Sequence, residues 1–301
     1  MLFMPKHQSS LKPVFVTGTP RSGTTLLYRT LLKHPSFKPA SLCLEETHLF
    51  ARPHSAIRST KRPNSLFHYM LDAEAVYNQY LQSIKPEIRW QKVCKKLRLS
   101  LFIRNDETYW QILKNQSVIC KYFNHAKEAR GCARIVEKTP RHIHFIKRIR
   151  TTFPGSKIII TMRHPVDVYA SYLKRRKKDP DNSWLKITVE EFVKNYRKMC
   201  EISHSMSTSN QAFSLKYEDF VQNPDYHFEQ ICSYIEEPFL KELLNEGEPE
   251  LKDYKIDPLL AKPITVKVKD WNEFVTVDQA AFIENRLQME MDVLEYHSKL
   301  R

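Results

Sequence analysis

The chain has 301 residues, with 48 Lys and Arg against 34 Asp and Glu, for a formal net charge of +14. Its 5 glycines, where ordinary usage would give about 21, exclude collagen-like and Gly/Ser-linker sequences. With 42% apolar and 11% aromatic residues and no low-complexity tract, the composition points away from disorder and toward a chain that buries a core.

Residues 13–18, PVFVTG, read as a short buried strand ending at Gly18, and apolar residues at 26, 27, 31 and 32 then follow a helical spacing. Residues 64–128 are polar and rich in aromatics without clear strands, and read as a helical insertion occupying about 52–130. ARIVEKT (133–139) predicts a strand, followed by a helix near 141–152. SKIIITM (156–162) is a β-branched run that predicts a strand, and Pro165 opens the next helix at its first turn. AFSLKY (212–217) is a further strand, and helices are expected over 224–246 and 277–298. Strands alternating with helices imply an α/β protein of three layers, a central parallel sheet flanked by helices, in a single domain over 1–301.

No apolar run approaches the roughly 20 residues of a membrane span. The opening MLFMPKHQSSLKP is too short in apolar residues for a signal-peptide core, so the protein is expected to be cytoplasmic. Cysteines 43, 94, 120, 132, 200 and 232 are dispersed, without C-x-x-C or His-rich metal spacing, and read as buried reduced thiols. No metal is expected. The positive charge raises a nucleic-acid hypothesis, and its densest cluster is Lys174 to Lys178. No paired zinc ligands or aromatic RNA-binding strand accompany that run, which reads as a solvated helix end complementing the helix dipole. A small, highly anionic ligand accounts for excess charge equally well.

The segment Gly18-Thr-Pro-Arg-Ser-Gly-Thr-Thr25 has the G-x-x-x-x-G spacing of a P-loop, with Thr24 where the lysine of nucleoside triphosphatases would stand. A strand feeding a tight turn and a helix N-terminus presents converging N–H groups to an anion. Thr24 and Thr25 add hydroxyls, and Arg21 adds a cation inside the loop. A kinase or nucleotide hydrolase would need the missing lysine and an acidic Mg²⁺ ligand at a strand end. Thr24 stands in the lysine's place, and the strand SKIIITM ends in Met162 followed by the basic Arg163.

TPRSGTT after a strand, VEKTP at 136–140 and RHPVDVYASYLKRRK at 163–177 together resemble sulfotransferases that use 3′-phosphoadenosine-5′-phosphosulfate (PAPS), with motifs most similar to bacterial and tyrosylprotein-type members. The resemblance covers 13–50 and 133–221 well and the remainder loosely. It implies a P-loop NTPase-like fold in which Arg21, Ser22, Gly23, Thr24 and Thr25 hold the 5′-phosphosulfate. It also implies that Arg163 and, eight residues on, Ser171 hold the 3′-phosphate. A guanidinium can grip a phosphate through two hydrogen bonds. Arg163 has an alternative role as ion-pair partner of Asp167.

The resemblance further assigns Arg21 and Lys138 to charge stabilisation during sulfuryl transfer, releasing adenosine 3′,5′-bisphosphate (PAP). It makes Glu46, in CLEETHLF (43–50), the base for a hydroxyl or amine acceptor, with Glu45 as fallback. Pro140 stands where cytosolic aryl-type enzymes carry a histidine base, and His142 lies four residues from the lysine. As residues alone, Glu45 and Glu46 also read as an acidic pair at a helix N-terminus, stabilised by its dipole. Tyr217 resembles a tyrosine near the adenosine, or is a core aromatic. Lys267, Lys269 and Trp271 in VKVKDWNEF (266–274) fall where the family has a cofactor-closing loop, without its usual serine and glycine. The acceptor carries no motif; its pocket is expected from 47–130 and 180–205. A nucleic-acid partner is not expected.

Overall fold

The computed structural model describes residues 10–40, 46–50, 119–120, 122–124, 126–128, 130–181, 185–244, 264 and 271–300. Five strands, β1 (Val14–Gly18), β2 (Phe37–Pro39), β3 (Arg134–Lys138), β4 (Lys157–Met162) and β5 (Phe213–Lys216), form one sheet in the order β2-β3-β1-β4-β5. Every pairing is parallel, with Val14 opposite both Val136 and Lys157. Helices among the described residues include α1 (Thr24–Leu32), α2 (Ile146–Thr152), α3 (Pro165–Lys178), α4 (Val189–Thr208), α5 (Tyr217–Gln222), α6 (Pro224–Ile235), α7 (Val277–Arg286) and α8 (Gln288–Val293).

A parallel sheet covered on both faces needs strands apolar on both sides. β1 and β4 satisfy this: Phe15, Ile158 and Ile160 enter one buried cluster, while Val14, Val16 and Ile159 enter the other, all at 0% exposure. Ile119, Tyr122, Phe123 and Ala126 are spaced as one helical stripe and join the first cluster, with the Phe123 ring tilted against Phe15 and Phe153. Among the described residues no helix is long and apolar enough to cross a membrane. Cys120, Cys132, Cys200 and Cys232 are free thiols, and the other two cysteines lie outside the described residues.

Three expected helices differ. The 141–152 segment begins as a 3₁₀ turn over Pro140–Phe145 before α2. The 224–246 helix stops at Ile235, where Glu236 turns left-handed (φ 63°), Glu237 N–H closes back on Cys232 O at 3.0 Å, and Pro238 follows. The 277–298 helix breaks at Leu287, whose N–H is shared between Ile283 O and Glu284 O, and helical structure ends at Val293. β2 and α4 carry no expectation above. β2 is only three residues long, with Pro39 on an edge strand. α4 opens on a capping box in which Thr188 and Glu191 bond each other's backbone.

The topology decides where a ligand can sit. The chain leaves central β1 toward β2 on one side, and β4 lies on the other, so the crossovers diverge around the carboxyl end of β1. The loops after β1, β3, β4 and β5 meet there, and they are the loops that hold the motif residues.

Candidate active site

The loop after β1 is pinned from inside. Gly18 (φ 139°) lies so close to β4 that a Cβ would stand 2.0 Å from Thr161 O. The Ser22 hydroxyl is fully buried and bonds Thr19 O (2.6 Å), Thr161 O (2.8 Å) and Thr161 Oγ1 (2.8 Å), while its N–H reaches Thr19 O. Ser22 therefore holds the loop to the sheet. Gly23 (φ 87°) caps α1, whose first-turn N–H groups at Thr24 and Thr25 have no intrahelical acceptor. Thr24 is buried and Thr25 half-buried. Arg21, in the left-handed region at φ 73°, turns outward and donates Nε–H to Ser171 Oγ at 3.0 Å. The two motifs separated by 150 residues thus meet at one hydrogen bond.

Arg163 follows β4 directly and is 8% exposed. Its guanidinium lies over the Tyr217 ring, 4.5 Å from the centroid, and its carbonyl accepts from Tyr196 O–H at 2.7 Å. Tyr217 also abuts Gly23, so one ring supports both the loop and the arginine. Burial pushes the Tyr217 phenol above its ordinary value, with Arg163 opposing. Asp167 stands 3.6 Å from Arg163 Nη2, which realises the ion-pair alternative, but only as a long contact. Arg163 Nε is buried with no hydrogen-bond partner among the described residues.

At the end of β3, Lys138 is 2% exposed and donates to Glu46 Oε1 at 3.1 Å; His48 Nε2 lies 3.3 Å from Glu46 Oε2. The segment carrying Glu46 is seated by a buried network. Glu137 accepts from Thr47 Oγ1 (2.7 Å), Thr47 N–H (3.3 Å), Thr139 Oγ1 (2.6 Å) and His142 Nδ1 (2.9 Å). His142 Nε2 accepts from Phe50 N–H, which fixes the ring as the Nδ1–H tautomer. Burial raises the Glu137 carboxyl, but the His142, Thr139 and Thr47 contacts outweigh it and hold the group below the ordinary carboxylate range.

Sequence reasoning assigned no role to Glu137, Thr47 or His142, although Glu137 is the one acid of VEKTP, in a strand buried from Ile135 through Lys138. It also missed Tyr172, buried beside Arg21, Arg141 and Glu46; burial pushes its phenol up to about 12, the two arginines opposing. Trp271 opens a short 3₁₀ turn packed on α3, with Phe274 beneath Lys174 and Lys177 at 5.1 and 5.4 Å. Two members of the basic run are thereby accounted for. Lys267, Lys269 and Glu45 lie outside the described residues.

A parallel sheet whose strand ends bring together a glycine loop, a helix N-terminus and buried cations defines an α/β protein with a P-loop-like fold. Residues 13–241 match the profile of the sulfotransferase family, and the chain belongs to that family. Solved structures agree in fold. The sulfotransferase domain of the olefin synthase of Synechococcus PCC 7002 is 20% identical, with a TM-score of 0.59 over 99% of both chains. The sulfotransferase domain from the curacin biosynthetic pathway is 19% identical, with a TM-score of 0.54 over 96% of this chain and 99% of that one. No curated protein sequence matches the chain significantly.

Proposed function

We propose that the protein transfers a sulfuryl group from PAPS to a hydroxyl or amine, with Glu46 as base. The observation that carries this is the 3.1 Å contact between Glu46 and buried Lys138, at the strand end beside the glycine loop. A carboxylate and a cation that lie apart in sequence are held together where an anion-binding loop ends. The residues present fit the donor's charge. The Arg163 guanidinium, stacked on Tyr217 with a free buried N–H, suits a phosphate, and the Gly23–Thr25 amides suit a second anionic group.

When bound, PAPS supplies an activated sulfuryl group and leaves as PAP. The chain's own residues bind, orient and move a proton. Thr24, Thr25 and the α1 N-terminus bind the phosphosulfate end, and Arg163 with Ser171 binds the 3′-phosphate. Arg21 bridges the two ends through Ser171. Lys138 and Arg21 oppose the negative charge that builds on the sulfonyl and leaving oxygens, and two fixed cations at a helix N-terminus do this without a metal. Glu46 Oε takes the acceptor proton as the new O–S or N–S bond forms. The acceptor is a small alcohol, amine, lipid, glycan or protein tyrosine.

Calorimetry with PAP in the presence of EDTA tests the donor assignment. Metal-independent binding is expected, weakened first by Arg163→Ala; no binding by the wild-type chain refutes the proposal. Glu46→Gln should retain PAP affinity and lose about 10²- to 10⁴-fold in turnover with an accepted substrate. Full activity in that variant removes Glu46 as base.

A further inference from the structure

The last residues of the chain reach the nucleotide end of the site. Tyr296 O–H donates to Glu218 Oε2 (3.2 Å), His297 O lies 3.1 Å from His164 Nε2, and Glu284 accepts from Ser298 Oγ (2.6 Å) and Lys299 N–H (2.9 Å). These contacts deliver Lys299 Nζ to 2.7 Å from Asp167 Oδ2. Asp167 is 8% exposed and carries two cationic neighbours on that one oxygen, Lys299 at 2.7 Å and Arg163 at 3.6 Å.

The inequality of those distances is informative. A buried carboxylate with one guanidinium neighbour would draw it into a short, paired contact. Here the short contact goes to the tail lysine, and Arg163 keeps a long one, a stacked guanidinium and an unpartnered Nε. His164 cannot take the lysine's place. Its Nδ1 accepts from Val166 N–H and its Nε2–H faces His297 O, so the ring is neutral as seated.

The geometry points to Lys299 as a positioning residue for the donor: by neutralising Asp167, the C-terminal tail keeps Arg163 available to the 3′-phosphate. This rests on the sulfotransfer reading above, and goes beyond it by making residues 296–299 part of the nucleotide site. The tail discriminates a nucleotide with a 3′-phosphate from one without, although it need not touch either. It also adds a second positive charge within the same cluster, so loss of Lys299 leaves Asp167 both closer to Arg163 and repulsive to phosphate.

The test compares PAP with adenosine 5′-phosphate, the latter by competition against bound PAP, for the wild-type chain, Lys299→Met, Asp167→Asn and the double variant. Lys299→Met should bind PAP about tenfold more weakly, the size of one charge-assisted contact, with adenosine 5′-phosphate affinity unchanged. Adding Asp167→Asn should restore most of the PAP affinity, which a merely structural tail would not allow. Unchanged PAP affinity in Lys299→Met, an equal loss for both nucleotides, or no rescue in the double variant overturns the inference. If the wild-type chain binds neither nucleotide, the sulfotransfer reading itself falls, and this inference with it.

Discussion

Replacing Gly23 with alanine tests the packing of the site at its tightest point. Gly23 has φ 87°, a left-handed conformation that costs an L-residue roughly 1–2 kcal/mol. Its new Cβ would lie 2.4 Å from Tyr217 Cδ2 and 3.0 Å from Cε2. Carbon atoms pack at about 3.5–4.0 Å, so the ring must retreat by about 1 Å. Overpacking of this kind costs about 1–3 kcal/mol. A combined loss near 3 kcal/mol should lower the melting temperature by roughly 5 °C. Because the same ring carries the Arg163 guanidinium at 4.5 Å, PAP affinity should fall as well. Gly131→Ala is the control: its φ is 56°, but a Cβ there meets nothing within 4 Å, so only the backbone cost applies and PAP binding is untouched. Thermal unfolding and calorimetry on both variants decide the matter. The reasoning fails if Gly23→Ala is no less stable than Gly131→Ala, or if it melts early yet binds PAP like the wild type.

Glu137→Gln should loosen the 46–50 segment, since a neutral amide cannot accept from Thr47, Thr139 and His142 together. Turnover should fall about a hundredfold, as for a catalytic group misplaced by about 1 Å, with PAP affinity retained; unchanged kcat would show that the network does not position Glu46. His164 bears on stability against pH. Burial, helped by Lys299, lowers its pKa from 6.5 to about 4, against the opposing pull of Asp167. The unfolded chain protonates this ring more readily, so its contribution is complete above pH 6.5 and is lost as pH falls toward 4, up to about 3 kcal/mol. Urea unfolding between pH 7.5 and 4.5 should show that slope, and His164→Asn, which keeps an acceptor for Val166 N–H, should flatten it; an equal slope in the variant contradicts the assignment.

Much of the fold was legible locally. The β-branched run of β4, the apolar PVFVTG strand and Pro165 at a helix start each state their structure within a few residues, because parallel strands buried on both faces cannot hide their composition. The glycine spacing of 18–25 likewise marked a P-loop-like turn with Arg21 inside it, whereas Lys138, Arg163 and Glu46 were singled out by the family resemblance. Helix ends were less legible. The stops at Glu236 and Leu287 use no glycine, and depend on how the following residues fold back.

What the chain alone determined is therefore the set of elements and the chemistry available at their ends. Tertiary structure decided which of those groups are tied into the scaffold and which are not, since both outcomes use the same residue types. Ser22 sits in the loop motif yet spends its hydroxyl on Thr161. Arg163 has a buried Nε without a hydrogen-bond partner among the described residues, while Lys299, 136 residues downstream by number, makes the short contact to Asp167. That division is set by distances between strands and a tail far apart in sequence, which no local pattern encodes.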